Sequence, residues 1–209
     1  MNKKIVEFEI EPYLLEQINA PIRGVLDIIT LLVETLKYML WQKPSVSTDC
    51  SLKVVVSKMN RIFYIQENKM FSITMPFYTK RIGERISFWY SDMEINSKLL
   101  SVITQILQSL KDDANSILQW EQYLEDFEIE QDEGYLLERI IQKLIFTEYG
   151  YIRYENDEVR ANGVIHPQYH LDINSSNQCT YKIGLDSNIE SQWFEDLLDI
   201  TKPCAFIKE

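Results

Sequence analysis

The chain has 209 residues, 45% of them hydrophobic, and a net charge of −11. That is enough for one good-sized core or two small ones, and too acidic overall to suit a protein that grips phosphate backbones through cationic contacts. The charge is uneven, with net values of +2 over residues 1–110, −8 over 111–150 and −5 over 151–209. Cys50, Cys179 and Cys204 form no Cys-x-x-Cys pair, and an odd count fits a reducing compartment. The expectation is a cytoplasmic protein. MNKKIVEFEIEPY alternates apolar residues with Glu and lacks the apolar core of a signal peptide. The apolar run Ile22 to Trp41 is interrupted by Arg23, Asp27, Glu34 and Lys37, which argues against a membrane span.

Lys4 to Glu11 alternates, but both faces carry apolar residues, so a short strand and a helix start are both open. Asn19-Ala20-Pro21 has the form of a helix entry, Asn as cap and Pro in the first turn. Ile22, Leu26, Ile29, Leu32, Val33 and Leu36 then follow helical spacing and predict one long helix to about Trp41. After a Pro/Ser/Thr/Asp loop, four runs have strand character: Leu52 to Ser57, Arg61 to Gln66, Met70 to Met75 and Arg85 to Tyr90. Lys58-Met59-Asn60 and Glu67-Asn68-Lys69 are connectors of hairpin length, which predicts an antiparallel meander. Pro76 ends the third strand or places it on an edge.

Asn96 is read as the cap of a helix from Ser97 to about Leu110, and Asp112-Asp113 as the start of another. The acidic link at residues 125–133 leads into a helix from Tyr135 to Phe146. Beyond it the pattern is β-rich: Tyr149 to Glu155, Glu158 to Arg160, Tyr169 to Ile173, Cys179 to Leu185, a helix entered through Ser187-x-x-Glu190 and running to Ile200, and a last strand Cys204 to Ile207. The class expected is α+β, antiparallel sheet segments with flanking helices. A division into residues 1–130 and 131–209 and a single continuous domain are both open. There is no internal repeat.

Both histidines lie in HPQYHLDIN, residues 166–174. The metalloprotease pattern also spaces histidines by four, but on a helix, with Glu after the first. Here Pro167 stands in that place and Leu171 to Asn174 alternates, which predicts a loop entering a β-hairpin. On a strand, His170, Asp172 and Asn174 share one face, neighbours along it about 6–7 Å apart at Cα. Thr180 and Lys182 have matching parity on the partner strand. His166, His170 and Asp172 are therefore candidate ligands for a divalent metal, while a hydrogen-bonded His170–Asp172 pair that merely fixes the turn is the competing reading. Tyr149, Tyr151 and Arg153 share the face of another strand. They can stack a base beside a phosphate or form the half-buried side of a sheet, Arg153 paired to a carboxylate, and the acidic balance favours the second. No glycine-rich phosphate loop and no Gly-x-Ser-x-Gly elbow occurs.

The run from Glu148 to Leu185 resembles the C-terminal part of bacterial families of unknown function. In those, an Arg-containing, tyrosine-rich strand precedes a His-Pro-x-x-His box and a short strand. The matching positions are Arg153, His166, Pro167, His170 and Lys182, under a fifth of the chain. The resemblance implies a role beside restriction or anti-phage systems and transfers no catalytic residue. Three functional readings follow. The first is a non-catalytic binding or accessory component of a multi-protein system, with a protein partner encoded nearby and recognition through Arg153, His166, His170, Asp172 and Lys182. The second is a phosphoesterase or nuclease dependent on a divalent metal held by His166, His170 and Asp172, with Lys182 or Arg153 steadying phosphate. The third is an acidic inhibitor of a nucleic-acid enzyme, acting through the acidic surface.

Overall fold

A computed structural model describes residues 4–45, 50–83, 85–113, 125–126, 131–174 and 181–206. Among these residues there are ten strands, all paired antiparallel in two sheets, and five helices, so the class is α+β. The chain folds as two compact units, each discontinuous in sequence. One comprises residues 1–11, 44–75 and 149–209, the other residues 12–43 and 76–148. Neither coincides with residues 1–130 or 131–209.

The first unit is built on a seven-stranded sheet. Its strands are β1 (Lys4–Glu9), β2 (Ser51–Val56), β3 (Arg61–Ile65), β4 (Lys69–Thr74), β8 (Ile152–Asn156), β9 (Tyr169–Ile173) and β10 (Tyr181–Gly184), in that spatial order. The ambiguous opening segment is thus an edge strand, and the predicted meander is present as β2–β3–β4. Asn60, in the first connector, has φ of +40°, a conformation that Asn tolerates better than most residues. Pro76 lies just past β4, and there the chain passes to the second unit; it returns at Tyr149, whose carbonyl accepts the Thr74 amide at 2.8 Å. β8 then pairs with β4 in register, Phe71 opposite Arg153 and Met70 opposite Tyr154.

The two faces of this sheet have different chemistry. On one, Val55, Phe63, Met70, Tyr154, Leu171 and Phe194 form a buried cluster. Phe194 comes from the short helix α5 (Ser191–Leu197), meets the Phe63 ring edge-on at 6.1 Å between centroids and is 0% exposed. Lys53 Nζ reaches Glu195 of the same helix at 2.9 Å. On the other face β1 to β4 present Phe8, Leu52, Tyr64 and Phe71, all buried. In the same rows β8, β9 and β10 present Arg153, Asp172 and Lys182.

The second unit holds α1 (Pro12–Asn19), α2 (Val25–Trp41), β5 (Tyr78–Ile82), β6 (Arg85–Tyr90), β7 (Met93–Ile95), α3 (Ser97–Asp112) and α4 (Gln131–Phe146). Strands β5, β6 and β7 form a three-stranded sheet, so the run Arg85–Tyr90 lies in this sheet and not in the meander. Asn19 closes α1 and does not cap α2, which starts after Gly24 with no side-chain cap. The segment Ala20 to Gly24, which contains Pro21, separates the helices. Asn96 does cap α3, accepting the Leu99 amide at 2.9 Å. Glu34 of α2 is buried and receives Tyr13 Oη and Lys37 Nζ, and Lys37 also reaches Thr104 of α3 at 2.6 Å. The hydrogen bond to Glu34, then burial, pushes the Tyr13 phenol up to about 12.

Asp112 and Asp113 end α3 rather than opening a helix; the remainder of that expected helix and most of the acidic link lie outside the described residues. Glu158–Arg160 is a turn, tied by the Arg160 amide to Asp157 Oδ1 at 3.1 Å. α5 begins at Ser191 after Glu190, with no side-chain cap bond, so the expected capping box is not formed. Residues 204–206 are without regular structure. No helix among the described residues is long and apolar enough to cross a membrane.

Candidate functional site: a charged row across β8, β9 and β10

Register brings the site together. Arg153 stands opposite Asp172 and Asp172 opposite Lys182, while one rung along Glu155 stands opposite His170 and His170 opposite Gly184. Five charged or titratable side chains from three strands thus occupy two adjacent rungs of one face. Their alternation along each strand is the period of two that any extended chain imposes.

Asp172 is the hub and is 3% exposed. Its Oδ2 accepts Arg153 Nη2 at 2.5 Å, and Lys182 Nζ lies 2.9 Å from Oδ1 as an ion pair. That contact is not aligned as a hydrogen bond, so Oδ1, though buried, accepts none. Burial opposes ionisation of this carboxyl, but the Arg153 hydrogen bond and the charges of Arg153 and Lys182 outweigh it and hold Asp172 below the usual carboxylate range. Arg153 Nε also faces Glu155 Oε1 at 3.4 Å. Burial disfavours the Arg153 charge, yet Tyr151, Asp172 and Glu155 together keep it more firmly protonated than usual.

His170 is 0% exposed and both its ring nitrogens are engaged. Nδ1 lies 2.9 Å from the Pro167 carbonyl and Nε2 lies 2.9 Å from Lys182 Nζ. A carbonyl can only accept, so Nδ1 carries the proton and donates; Nε2 then presents its lone pair, which accepts from the lysine ammonium. The same Nε2 is 3.7 Å from Glu155 Oε2 and 3.7 Å from Asp172 Oδ2.

His166 is not part of this convergence. Its ring meets that of His170 at 4.8 Å between centroids, but its Nε2 turns to Asp157 Oδ2 at 3.2 Å. Asp157 also takes Arg160 Nε at 2.7 Å; despite the cost of burial, its bonds to the Arg160 amide and His166 keep its pKa low. The expected ligand set His166, His170, Asp172 is therefore replaced in space by Glu155, His170 and Asp172, whose donor atoms all lie within 4.8 Å of one another. Glu155 was legible only as the residue two beyond Arg153 on the same strand face. Thr180 lies outside the described residues, and Asn174 leaves the strand with φ of +80°. Tyr149 and Tyr151 are 4% and 5% exposed, so they line the sheet and offer no stacking surface. Arg153 is paired to carboxylates, as the acidic balance suggested.

Pro167 is held by a steric fit. A Cβ on Gly184 would stand 2.9 Å from Pro167 Cγ, closer than real Cβ contacts come. The bare backbone of β10 lets the proline ring lie over it, which aims the Pro167 carbonyl at His170 Nδ1. Gly184→Ala should cost about 1–3 kcal/mol by overpacking and break that hydrogen bond. Urea melts and the 15N shifts of the His170 ring check this; a ring still protonated at Nδ1 alone would contradict it.

No protein-family model, curated protein or solved structure matches the chain.

Proposed function

We propose that the protein is a non-catalytic binding component of a multi-protein system, with the charged row of β8–β10 and the loop beside it as its recognition surface. The observation that carries this is the closure of the network. His170, the residue any acid–base mechanism here would need, is 0% exposed, and both its nitrogens are taken. Arg153 and Lys182 balance Asp172 and Glu155, so the row is charge-compensated and oriented rather than poised for proton transfer. Between β8 and β9 the loop carries Val159, Val164 and Ile165 at 95%, 97% and 80% exposure. Three aliphatic side chains almost fully in water within one loop favour a protein partner over a small polar ligand. The partner expected is encoded beside this gene, and the resemblance over residues 148–185 points to a defence system.

The test is co-expression with the neighbouring gene products. The wild-type chain should co-purify with one of them, and Val164→Glu with Ile165→Glu should weaken that capture about 10-fold or more, the scale of losing buried contact area, while far-UV circular dichroism is unchanged. A chain recovered alone, or capture indifferent to the double variant, rejects the proposal. A second reading, a metal-dependent phosphoesterase, is favoured by the approach of Glu155, His170 and Asp172. Its signature would be metal-dependent hydrolysis of a phosphodiester lost in His170→Gln.

A further inference from the structure

We propose that Glu155, His170 and Asp172 form a binding site for a divalent cation of Zn²⁺ type, and that the ammonium of Lys182 competes with the cation for the same donors. The inference rests on the reading of this face as a binding surface and names one of its ligands.

The donor set has the required chemistry. Zn²⁺ takes imidazole nitrogen and carboxylate oxygen at about 2.0–2.2 Å, which places tetrahedral donors about 3.4 Å apart. His170 Nε2 stands 3.7 Å from both Glu155 Oε2 and Asp172 Oδ2, within a few tenths of an ångström of that spacing, and all three donors lie within 4.8 Å of one another, so side-chain movement draws the carboxylates onto the ion. Two further features point to a cation independently of this clustering. The first is the orientation of His170. Its Nδ1–H is pinned by the Pro167 carbonyl, the arrangement by which backbone acceptors fix metal-ligating imidazoles, so the Nε2 lone pair is aimed at the two carboxylates. The second is Asp172 Oδ1, the other oxygen of the same carboxylate, buried without a hydrogen bond and faced by the Lys182 charge.

Lys182 explains how the site stays stable without a metal. Its Nζ lies 2.9 Å from His170 Nε2 and 2.9 Å from Asp172 Oδ1, a positive charge placed on a cation's donors. Lys182 is on β10, at the edge of the sheet, and its side chain is 35% exposed. It can swing into water at small cost, which the buried His170 and Asp172 cannot. A borderline cation is preferred to Ca²⁺ or Mg²⁺ because one of the three donors is imidazole. Water would supply the remaining positions. Arg153 stays on Asp172 throughout, which moderates the affinity and keeps the cation exchangeable.

The experiment uses the full-length untagged chain, stripped with chelator and dialysed, then titrated calorimetrically with ZnCl₂, MnCl₂ and CaCl₂. Wild type should bind one equivalent of Zn²⁺, with Ca²⁺ much weaker. Lys182→Met removes the competitor and no ligand, and should tighten Zn²⁺ by about 10- to 100-fold, the scale of a lost charge-assisted hydrogen bond. Glu155→Gln should weaken it by at least about 10-fold. Circular dichroism melts confirm that each variant is folded, and Lys182→Met, which deletes no ligand, covers the case in which Glu155→Gln does not fold. Zn²⁺ bound substoichiometrically to both wild type and Lys182→Met overturns the site, as does an affinity unchanged by Glu155→Gln. Loss of zinc binding with partner capture intact sinks only the cation; the reverse sinks only the proposed partner.

Discussion

Asp172→Ala is expected to destabilise the fold by about 2–4 kcal/mol, somewhat below the about 3–5 kcal/mol typical of breaking a fully buried ion pair. The discount reflects Arg153 and Lys182, whose side chains are 26% and 35% exposed and can partly rehydrate. What cannot rehydrate is the interior of the row. With the hub gone, Arg153 keeps Glu155 as its carboxylate partner, and Lys182 keeps the His170 lone pair. The pH dependence has a definite sign. The folded pKa of Asp172 lies below its ordinary value, so its contribution is fully present above about pH 4–5 and is lost as pH falls through the depressed folded value. Urea melts of wild type and Asp172→Asn at pH 7 and pH 3 measure this. The gap between the two proteins should narrow at the lower pH, and a gap of constant size would show that Asp172 acts by shape rather than by charge.

Phe194→Ala should cost about 3–5 kcal/mol, the range for truncating a fully buried aromatic. The ring is 0% exposed and its edge-on partner, Phe63, belongs to the interior strand β3. A seven-residue helix is too short to persist unsupported, so α5 depends on this ring and on the Lys53–Glu195 pair. Hydrogen exchange should show the amides of α5 losing protection while those of α3, in the other unit, keep theirs. Phe194→Leu, which retains most of the apolar volume, should recover more than half of the loss. Equal losses in the two variants would mean that ring packing is not what holds the helix.

Local chemistry carried a good share of the structure. The α+β class, the β2–β3–β4 meander, the Asn96 cap and the strand Tyr169–Ile173 follow from alternation, helical spacing and capping residues, all of which act over a few positions. The same range explains why His170 and Asp172 could be placed on one face with Lys182 across from them: a hairpin joins strands close in sequence, and parity alone aligns them. Local residues do not decide the entry to α2, because Asn19-Ala20-Pro21 suits the end of one helix as well as the start of another. The last strand expected from Cys204 has apolar composition, but among the described residues 204–206 are unpaired with any strand.

Glu155 and the two-unit division belong to the tertiary structure. Alternation placed Arg153 and Glu155 on one face of a strand, but nothing in it said that β8 would pair with β4 on one side and β9 on the other, which sets Glu155 opposite His170. Nor could spacing foresee that His166, in the same short stretch as His170, would turn to Asp157. A side chain's partner is decided by which backbones are hydrogen-bonded side by side, and a chain that leaves its sheet at Pro76 and returns at Tyr149 makes that choice across a long segment that folds into the other unit, which local residues do not control. HPQYHLDIN thus determined by itself a strand, a face and a pair of imidazoles. The third donor, the competing lysine at its working distance and the proline carbonyl over Gly184 were decided by strand register, because only register converts a period of two along each chain into contacts between chains.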